Sequence, residues 1–528
     1  MTRHDPKLLH RGLLAVRQNA IRKLLRNVFD IEHLREGQQR VIDSVLDGKD
    51  TLAIMPTGGG KSLCYQIPAK MLKGITIVVS PLISLMKDQL EKLEEMGIRS
   101  VQVNSSLSTE EEREALEAIR TEACEIVFCT PERLGVADFI EVLKQVTIDI
   151  VVIDEAHCIS QWGHDFRPAY IEMAAAIDAL GKPPVLALTA TATEDVVEDI
   201  RKQLGRARMN VINTGIYRPN LHYRVVQVTS AEEKYAEALK LVRETEGVGI
   251  VYAATVKAAE EMLQILQEAG ESVTIYHGKL GAAERKENQD LFMGGERRVM
   301  VATNAFGMGI DKPDTRFVIH LQIPANLESY YQESGRAGRD GQDAQCTLLF
   351  LQDDKRVQQF FLVKHYPDAN ELKAVYEAVA ELAEAGAVTI DRLEDKLGEN
   401  EGKLKVSLKL LKDGKLLRQN RKLEYIVTQT APKAALFEAL AEVYVQKSER
   451  DREALEQMVG YAVSGFCRWK LLLDYFGDEV EGFEKCCRCD NCLNPPELTL
   501  TEDIEIRDDE FDREPEVQEP ARAAFEQG

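Results

Sequence analysis

Four groups of residues have the types and spacing to do chemistry. Asp154 and Glu155 close the apolar run Ile148 to Ile153 and are followed by Ala156 and His157. Two carboxylates at the carboxyl end of a buried strand sit where parallel sheets bind ligands. One can hold Mg²⁺ through water while the other orients an attacking water. Taken alone, an Asp-Glu pair is most often solvated surface. The second group raises its weight: Pro56-Thr57-Gly58-Gly59-Gly60-Lys61-Ser62, directly after the apolar stretch Thr51 to Met55. Glycines there let backbone N–H groups wrap phosphates at a helix start. Lys61 brings a point charge to β- and γ-phosphates, and the Ser62 hydroxyl can ligate Mg²⁺. Met55 stands where the general pattern has its first glycine. The bland alternative is an accidental Gly-rich turn.

The third group is Arg336 and Arg339. Three apart on an expected helix over 330–341, they would share a face and reach a phosphate across a cleft. A solvated ion-pair helix is the competing account. The fourth is Cys486-x₂-Cys489-x₂-Cys492 with the distant Cys467, a set suited to tetrahedral Zn²⁺ held by four thiolates. Cys487 is spare by this spacing, and a register that uses it stays open. Cys64, Cys124, Cys129, Cys158 and Cys346 lie scattered in apolar segments and read as buried reduced thiols.

These groups need elements to position them. Expected strands at 51–55, 75–80, 125–129, 148–153 and 185–189 alternate with helices, which predicts a parallel sheet covered on both faces. Ser80-Pro81, Thr130-Pro131 and Thr189-Ala190-Thr191 follow consecutive strand ends. Each alone could cap a helix; together they suit the backbone phosphates of a single strand. A second round over 211–355, with strands at 248–252, 273–276, 298–302 and 317–321, has no glycine-rich Lys-Ser loop. It cannot hold a nucleotide alone.

The chain has 528 residues, 44% apolar and 29% charged, enough for several domains with their own cores. No run of eighteen apolar residues occurs, and the basic helical start over 8–28 lacks the build of a signal peptide. The expected location is cytoplasmic and nucleoid-associated, with no membrane partner. A net charge of −22 weighs mildly against a general polyanion binder, but the charge is uneven. Residues 502–519 carry ten Asp/Glu against two Arg, whereas 403–422 carry eight Lys/Arg against one Asp.

Helices over 371–386, 390–397 and 403–412, then a hairpin through 416–427, describe a winged helix. Lys403, Lys409, Arg421 and Lys422 would face nucleic-acid phosphates; a solvated helical connector is the alternative. Further helices over 450–463 and 467–476 lead into the cysteines. The acidic stretch 498–528 is expected to be disordered, solvating or docking on a partner. The expected domains are therefore 1–210, 211–360, 366–435, 446–497 and 498–528.

The motifs Met55 to Gln66, Asp154 to His157, Ala190 to Thr193 and Gln332 to Gly341 resemble those of superfamily 2 helicases. The loop Ser160 to Pro168 resembles the aromatic-rich loop of the RecQ DNA helicases. The resemblance implies two tandem RecA-like domains, a winged-helix-like segment and a small helical zinc-binding module. It implies an ATP- and Mg²⁺-dependent helicase moving 3′→5′ on single-stranded and forked DNA in recombination and repair, with single-strand-binding or repair proteins as partners. Carried over, Lys61 and Ser62 bind phosphate and metal, Asp154 holds Mg²⁺, and Glu155 activates water. Arg339, with Arg336, serves as arginine finger, and Gln332 senses the γ-phosphate. Arg35 and Gln38 read adenine, with Phe29 or Ile31 in the stacking place, while Cys467, Cys486, Cys489 and Cys492 bind zinc. Trp162 and Phe166, with Arg167, would bind DNA, and a base stacked there would report to Glu155; Trp162 as a core residue is the alternative. The winged helix lies before the zinc module here, where relatives place it after. Rival readings are an RNA helicase and an ATP-gated DNA remodelling translocase.

Overall fold

Short β-branched runs bounded by charge become the strands of two parallel sheets. The computed structural model describes residues 6–160, 167–170, 173–307, 311–365, 367–384, 386–399, 401–420, 424–429 and 432–495. The first sheet contains β1 (Thr51–Ile54), β2 (Ile75–Val79), β3 (Ser100–Val103), β4 (Ile126–Cys129), β5 (Ile148–Ile153), β6 (Val185–Thr189) and β7 (Asn210–Asn213). Their order is β3-β4-β2-β5-β6-β1-β7. Strands β1, β2, β4 and β6 are buried along their length, as helices on both faces require. One face packs on Ile77, Val103, Ile119 and Ile200, the other on Val41, Ile67, Met86 and Leu188. Helix Pro6–Asn27 adds Ile21 and Leu25 to the latter core.

The second sheet contains β8 (Leu221–Gln227), β9 (Val248–Tyr252), β10 (Val273–Tyr276), β11 (Val299–Ala302), β12 (Thr315–His320) and β13 (Ala344–Phe350), in the order β10-β11-β9-β12-β13-β8. Expectation omitted β3, β7, β8 and β13. Strands β3, β7 and β8 are sheet edges, where half-burial breaks the continuous apolar run that marks an inner strand.

A second correction concerns the arginines. Helix Leu327–Ser334 stops at Gly335, so Arg336 and Arg339 stand on the turn after it and share no helical face. Gly338 (φ 57°) and Gly341 (φ 86°) take left-handed backbone farther along, so the helix does not resume beyond that turn.

Beyond the sheets, helices Ala369–Glu384, Ile390–Leu397 and Glu401–Asp413 and the antiparallel pair β14 (Leu417–Gln419) and β15 (Tyr425–Val427) enclose Leu372, Val379, Leu393 and Leu408. The expected separation at 435–446 is instead crossed by one helix, Ala434–Val463. Its start puts Phe437 and Ala441 into that small core. Its end puts Leu455, Met458 and Tyr461 into the core of the second sheet, alongside Trp469, Leu472 and Phe476. The cysteine-bearing segment thus shares a core with the second sheet. The expected acidic tail falls outside the described residues.

Candidate nucleotide site and cysteine cluster

Strand order brings the first two groups together. The ends of β1 and β5 flank β6, so the glycine loop and the carboxylates meet at one edge of the sheet. Gly58 and Gly60 both have φ 76°, and no side chain fits at either. A Cβ on Gly58 would lie 3.0 Å from Arg339 Cγ, and one on Gly60 would lie 2.4 Å from Gln38 Nε2. Lys61 Nζ donates to the Met55 carbonyl at 3.4 Å, and Ser62 precedes helix Leu63–Met71. Thr57 touches the arginine turn: a Cβ on Gly335 would lie 3.2 Å from its own Cβ.

Asp154 ends β5, and its Oδ1 accepts the Glu155 N–H at 3.1 Å. Burial and the Glu155 charge push the Asp154 carboxyl up to about 7, against the pull of Lys61. Glu155 is held in left-handed backbone, φ 49° and ψ 50°, uncommon for a side chain of that size. His157 Nδ1 lies 3.4 Å from Glu155 Oε2 and 3.1 Å from Thr189 Oγ1, and that hydroxyl donates to the Thr191 carbonyl at 2.9 Å. The carboxylates are thereby joined to the Thr189-Ala190-Thr191 segment.

Arg339, from the other sheet, lies against this loop. Its guanidinium donates to Asp311 Oδ1 at 2.9 Å, and Lys92 of the first sheet's side reaches Asp311 Oδ2 at 3.4 Å. Desolvation lowers the Arg339 pKa against the pull of Asp311. Among the described residues, Glu155 Oε2, Gln332 Nε2, Arg336 Nε and Arg339 Nε are buried without a hydrogen-bond partner. Orphaned buried donors and acceptors are costly unless a polar ligand satisfies them. A triphosphate with its cation fits: it brings acceptors for the donors and a positive charge for the carboxylate pair.

Arg35 and Gln38 come to the site and bond the glycine loop. The Gln38 side chain is buried and donates to the Gly60 carbonyl at 2.9 Å, and Arg35 donates to the Gly58 carbonyl. Both brace the loop. Phe29 is buried in the first sheet's core, so it presents no face for a base. Arg167 donates to the Pro81 carbonyl at 3.3 Å and so ties its loop to the end of β2. Trp162, Phe166, Arg421 and Lys422 lie outside the described residues. Lys403 pairs with Glu371 inside its own module, and Lys409 is half-buried on the same helix. Thr130 caps its helix, accepting from the Arg133 N–H at 3.3 Å.

Cys467, Cys486, Cys489 and Cys492 place their sulfurs within 4.8 Å of one another, while Cys487 is exposed and outside the group. Zn–S bonds of about 2.3 Å put tetrahedral sulfurs roughly 3.8 Å apart. The Cys486 and Cys492 sulfurs are 3.9 Å apart. Backbone N–H groups of Cys486, Arg468 and Cys489 point at Cys467, Cys489 and Cys486 sulfurs, at 3.2, 3.4 and 3.3 Å. Donors aimed at sulfur favour thiolates, so the set fits zinc. The other five cysteines are buried, and burial raises the Cys64, Cys129 and Cys346 thiols to about 12.

One residue central to this geometry had no sequence signal: Arg218, in the linker between the sheets. Its guanidinium donates to Thr57 O at 3.3 Å, Gly335 O at 2.8 Å, Ala337 O at 2.8 Å and Gly338 O at 2.6 Å. Only a spatial adjacency of the loop, the linker and the turn reveals it.

The chain matches three family descriptions: DEAD/DEAH box helicase over 35–200, helicase conserved C-terminal domain over 233–341, and RecQ zinc-binding over 421–493. The ATP-dependent DNA helicase RecQ of Bacillus subtilis is 48% identical over 64% of this chain and 57% of its own length. The chain thus spans little more than half of that relative. The same-named protein of Synechocystis is 32% identical over 90% of this chain and 98% of its own length. In fold, Mycobacterium smegmatis helicase Lhr, solved with single-stranded DNA and AMP-PNP, superposes with a TM-score of 0.53 at 19% identity, over 78% of this chain and 60% of its own. With nearly the whole Synechocystis protein matched and a zinc segment of the same kind, this chain belongs to the RecQ family of ATP-dependent DNA helicases.

Proposed function

We propose that the chain hydrolyses ATP to move 3′→5′ along single-stranded DNA and so unwind forked duplexes in recombination and repair. The observation that carries this is the contact of the arginine turn with the glycine loop: Arg339 packs on Gly58, and Arg218 bonds both the Thr57 and the Gly335 carbonyls. Mg²⁺, held by Ser62 and Asp154, would offset phosphate charge. Thr57, Gly58, Gly59 and Gly60 would cradle the phosphates, and Lys61 would leave Met55 for them. Glu155 orients the attacking water and takes its proton. Arg336, Arg339 and Gln332 meet the γ-phosphate from the far side, and Arg339 must exchange Asp311 for it. Loss of that phosphate removes the charge holding the two sheets together. DNA held at Arg167, Trp162 and Phe166 and along the strand ends would then be passed forward. Arg35 and Gln38 link adenine occupancy to loop posture. Lys403, Lys409, Arg421 and Lys422 are assigned to duplex phosphates, and the acidic 498–528 to solvation or to single-strand-binding or repair proteins.

Strand separation on 3′-tailed, 5′-tailed and blunt duplexes tests the reading. Unwinding of the 3′-tailed substrate alone is expected, with hydrolysis stimulated more by single-stranded DNA than by RNA of equal length. ATP turnover that strips bound protein from single strands without separating duplex would favour the remodelling translocase instead.

A further inference from the structure

The linker between the sheets is gripped from both sides. Tyr331 Oη donates to the Ile216 carbonyl at 2.7 Å, while Asp478 Oδ2, between Cys467 and Cys486 in the chain, accepts the Ile216 N–H at 2.7 Å. Further along, at Leu221, the backbone carbonyl accepts from Trp469 Nε1 at 3.0 Å. Trp469 is buried and meets Tyr217 and Tyr223 edge-on, both at 5.0 Å. Between these anchors stands Arg218, buried, with the four carbonyl contacts given above.

Three of those carbonyls belong to the turn that carries Arg336 and Arg339; the fourth is Thr57 of the phosphate loop. Asn220 adds a bond from Nδ2 to Gly338 O at 2.8 Å. A planar fork with fixed N–H directions suits such a task, and lysine cannot span it. Desolvation lowers the Arg218 pKa, and its hydrogen-bond partners among the described residues are carbonyl dipoles, with no carboxylate. A buried cation without a counter-ion is expensive and calls for a reason.

We infer that Arg218 is a positioning residue for ATP hydrolysis: it sets the arginine turn against Thr57, and the zinc-binding segment, through Asp478 and Trp469, sets Arg218. The inference rests on the hydrolytic reading above. It gives the cysteine-bearing segment a bearing on turnover.

The test uses the full zinc-loaded chain, ATP and an oligo-dT strand. In Arg218→Lys, kcat should fall roughly 100-fold, the scale of a misplaced catalytic group, with KM and mant-ATP binding within about threefold and zinc content unchanged. In Asp478→Ala, which alters only the grip on Ile216, kcat should fall about tenfold, the worth of one hydrogen bond to a charged group, again at constant KM and zinc. A kcat for Arg218→Lys near that of the wild type overturns the inference. So does a loss that comes only with equal loss of nucleotide binding and zinc, since that is a folding role. Should Arg218→Lys not accumulate, Asp478→Ala decides, and unchanged kcat there counts against the inference. A wild-type chain inert toward ATP on DNA sinks the hydrolytic reading too; an active one separates the two failures.

Discussion

The seam between the sheets and the cysteine cluster follow opposite rules. Around the nucleotide site, Gln332, Arg336 and Arg339 each keep a buried nitrogen without a hydrogen-bond partner, and the Asp154 and Arg339 pKa values are displaced by burial. At the cluster, four sulfurs stand at ligand spacing and backbone N–H groups are turned toward them. Groups left wanting can accept a substrate and release its product. Groups already furnished hold a shape. The contrast sets the proposed place of turnover against a place of fixation, and substitutions can attack either half.

The largest effect is expected at the seam. Arg339→Ala should cut DNA-stimulated kcat by about 10³-fold or more, as loss of an arginine finger does, with mant-ATP still bound; an unaltered kcat would mean that Arg339 serves only Asp311. Glu155→Gln should lower kcat by roughly 10²-fold or more, the range of general-base catalysis, again with nucleotide retained. At the cluster, Cys489→Ser should act on stability first. Zinc content should drop and the melting temperature fall by roughly 5 °C or more, at about 2–4 °C per kcal/mol; a zinc-replete variant with wild-type melting would erase the contrast. The smallest change belongs to Lys92→Ala. Its pair with Asp311 is half-exposed at both ends, and such pairs are worth about 0–1 kcal/mol. The KM for ATP should move less than about fivefold.

Legibility followed contiguity. Gly58-Gly59-Gly60-Lys61-Ser62 and the cysteine spacing are local in the chain, so their chemistry could be read directly. The inner strands β1, β2, β4, β5 and β6 were legible as well, since burial on both faces leaves an apolar run. Edge strands such as β7, with Asn210 and Asn213 exposed, leave none. Helix Ala434–Val463 was read only from 450 onward, and its first half was left as a separation between two expected domains, because its two ends serve two different cores. The arginine turn was misread because Gly335 ends its helix one residue before Arg336. Arg218 was invisible for a deeper reason. Three of its carbonyl partners lie more than a hundred positions downstream, and no local pattern announces a side chain that serves a distant backbone.

Helix Ala434–Val463 runs unbroken, with Phe437 keyed into the small basic module and Met458 keyed beneath the second sheet. Those two residues stand about 32 Å apart along the axis, at 1.5 Å per residue. Over that length a rotation of roughly ten degrees about Met458 would correspond to about 5.5 Å at Phe437. One unbroken element thus belongs to both cores, and neither can be repacked at Phe437 or Met458 without reference to the other.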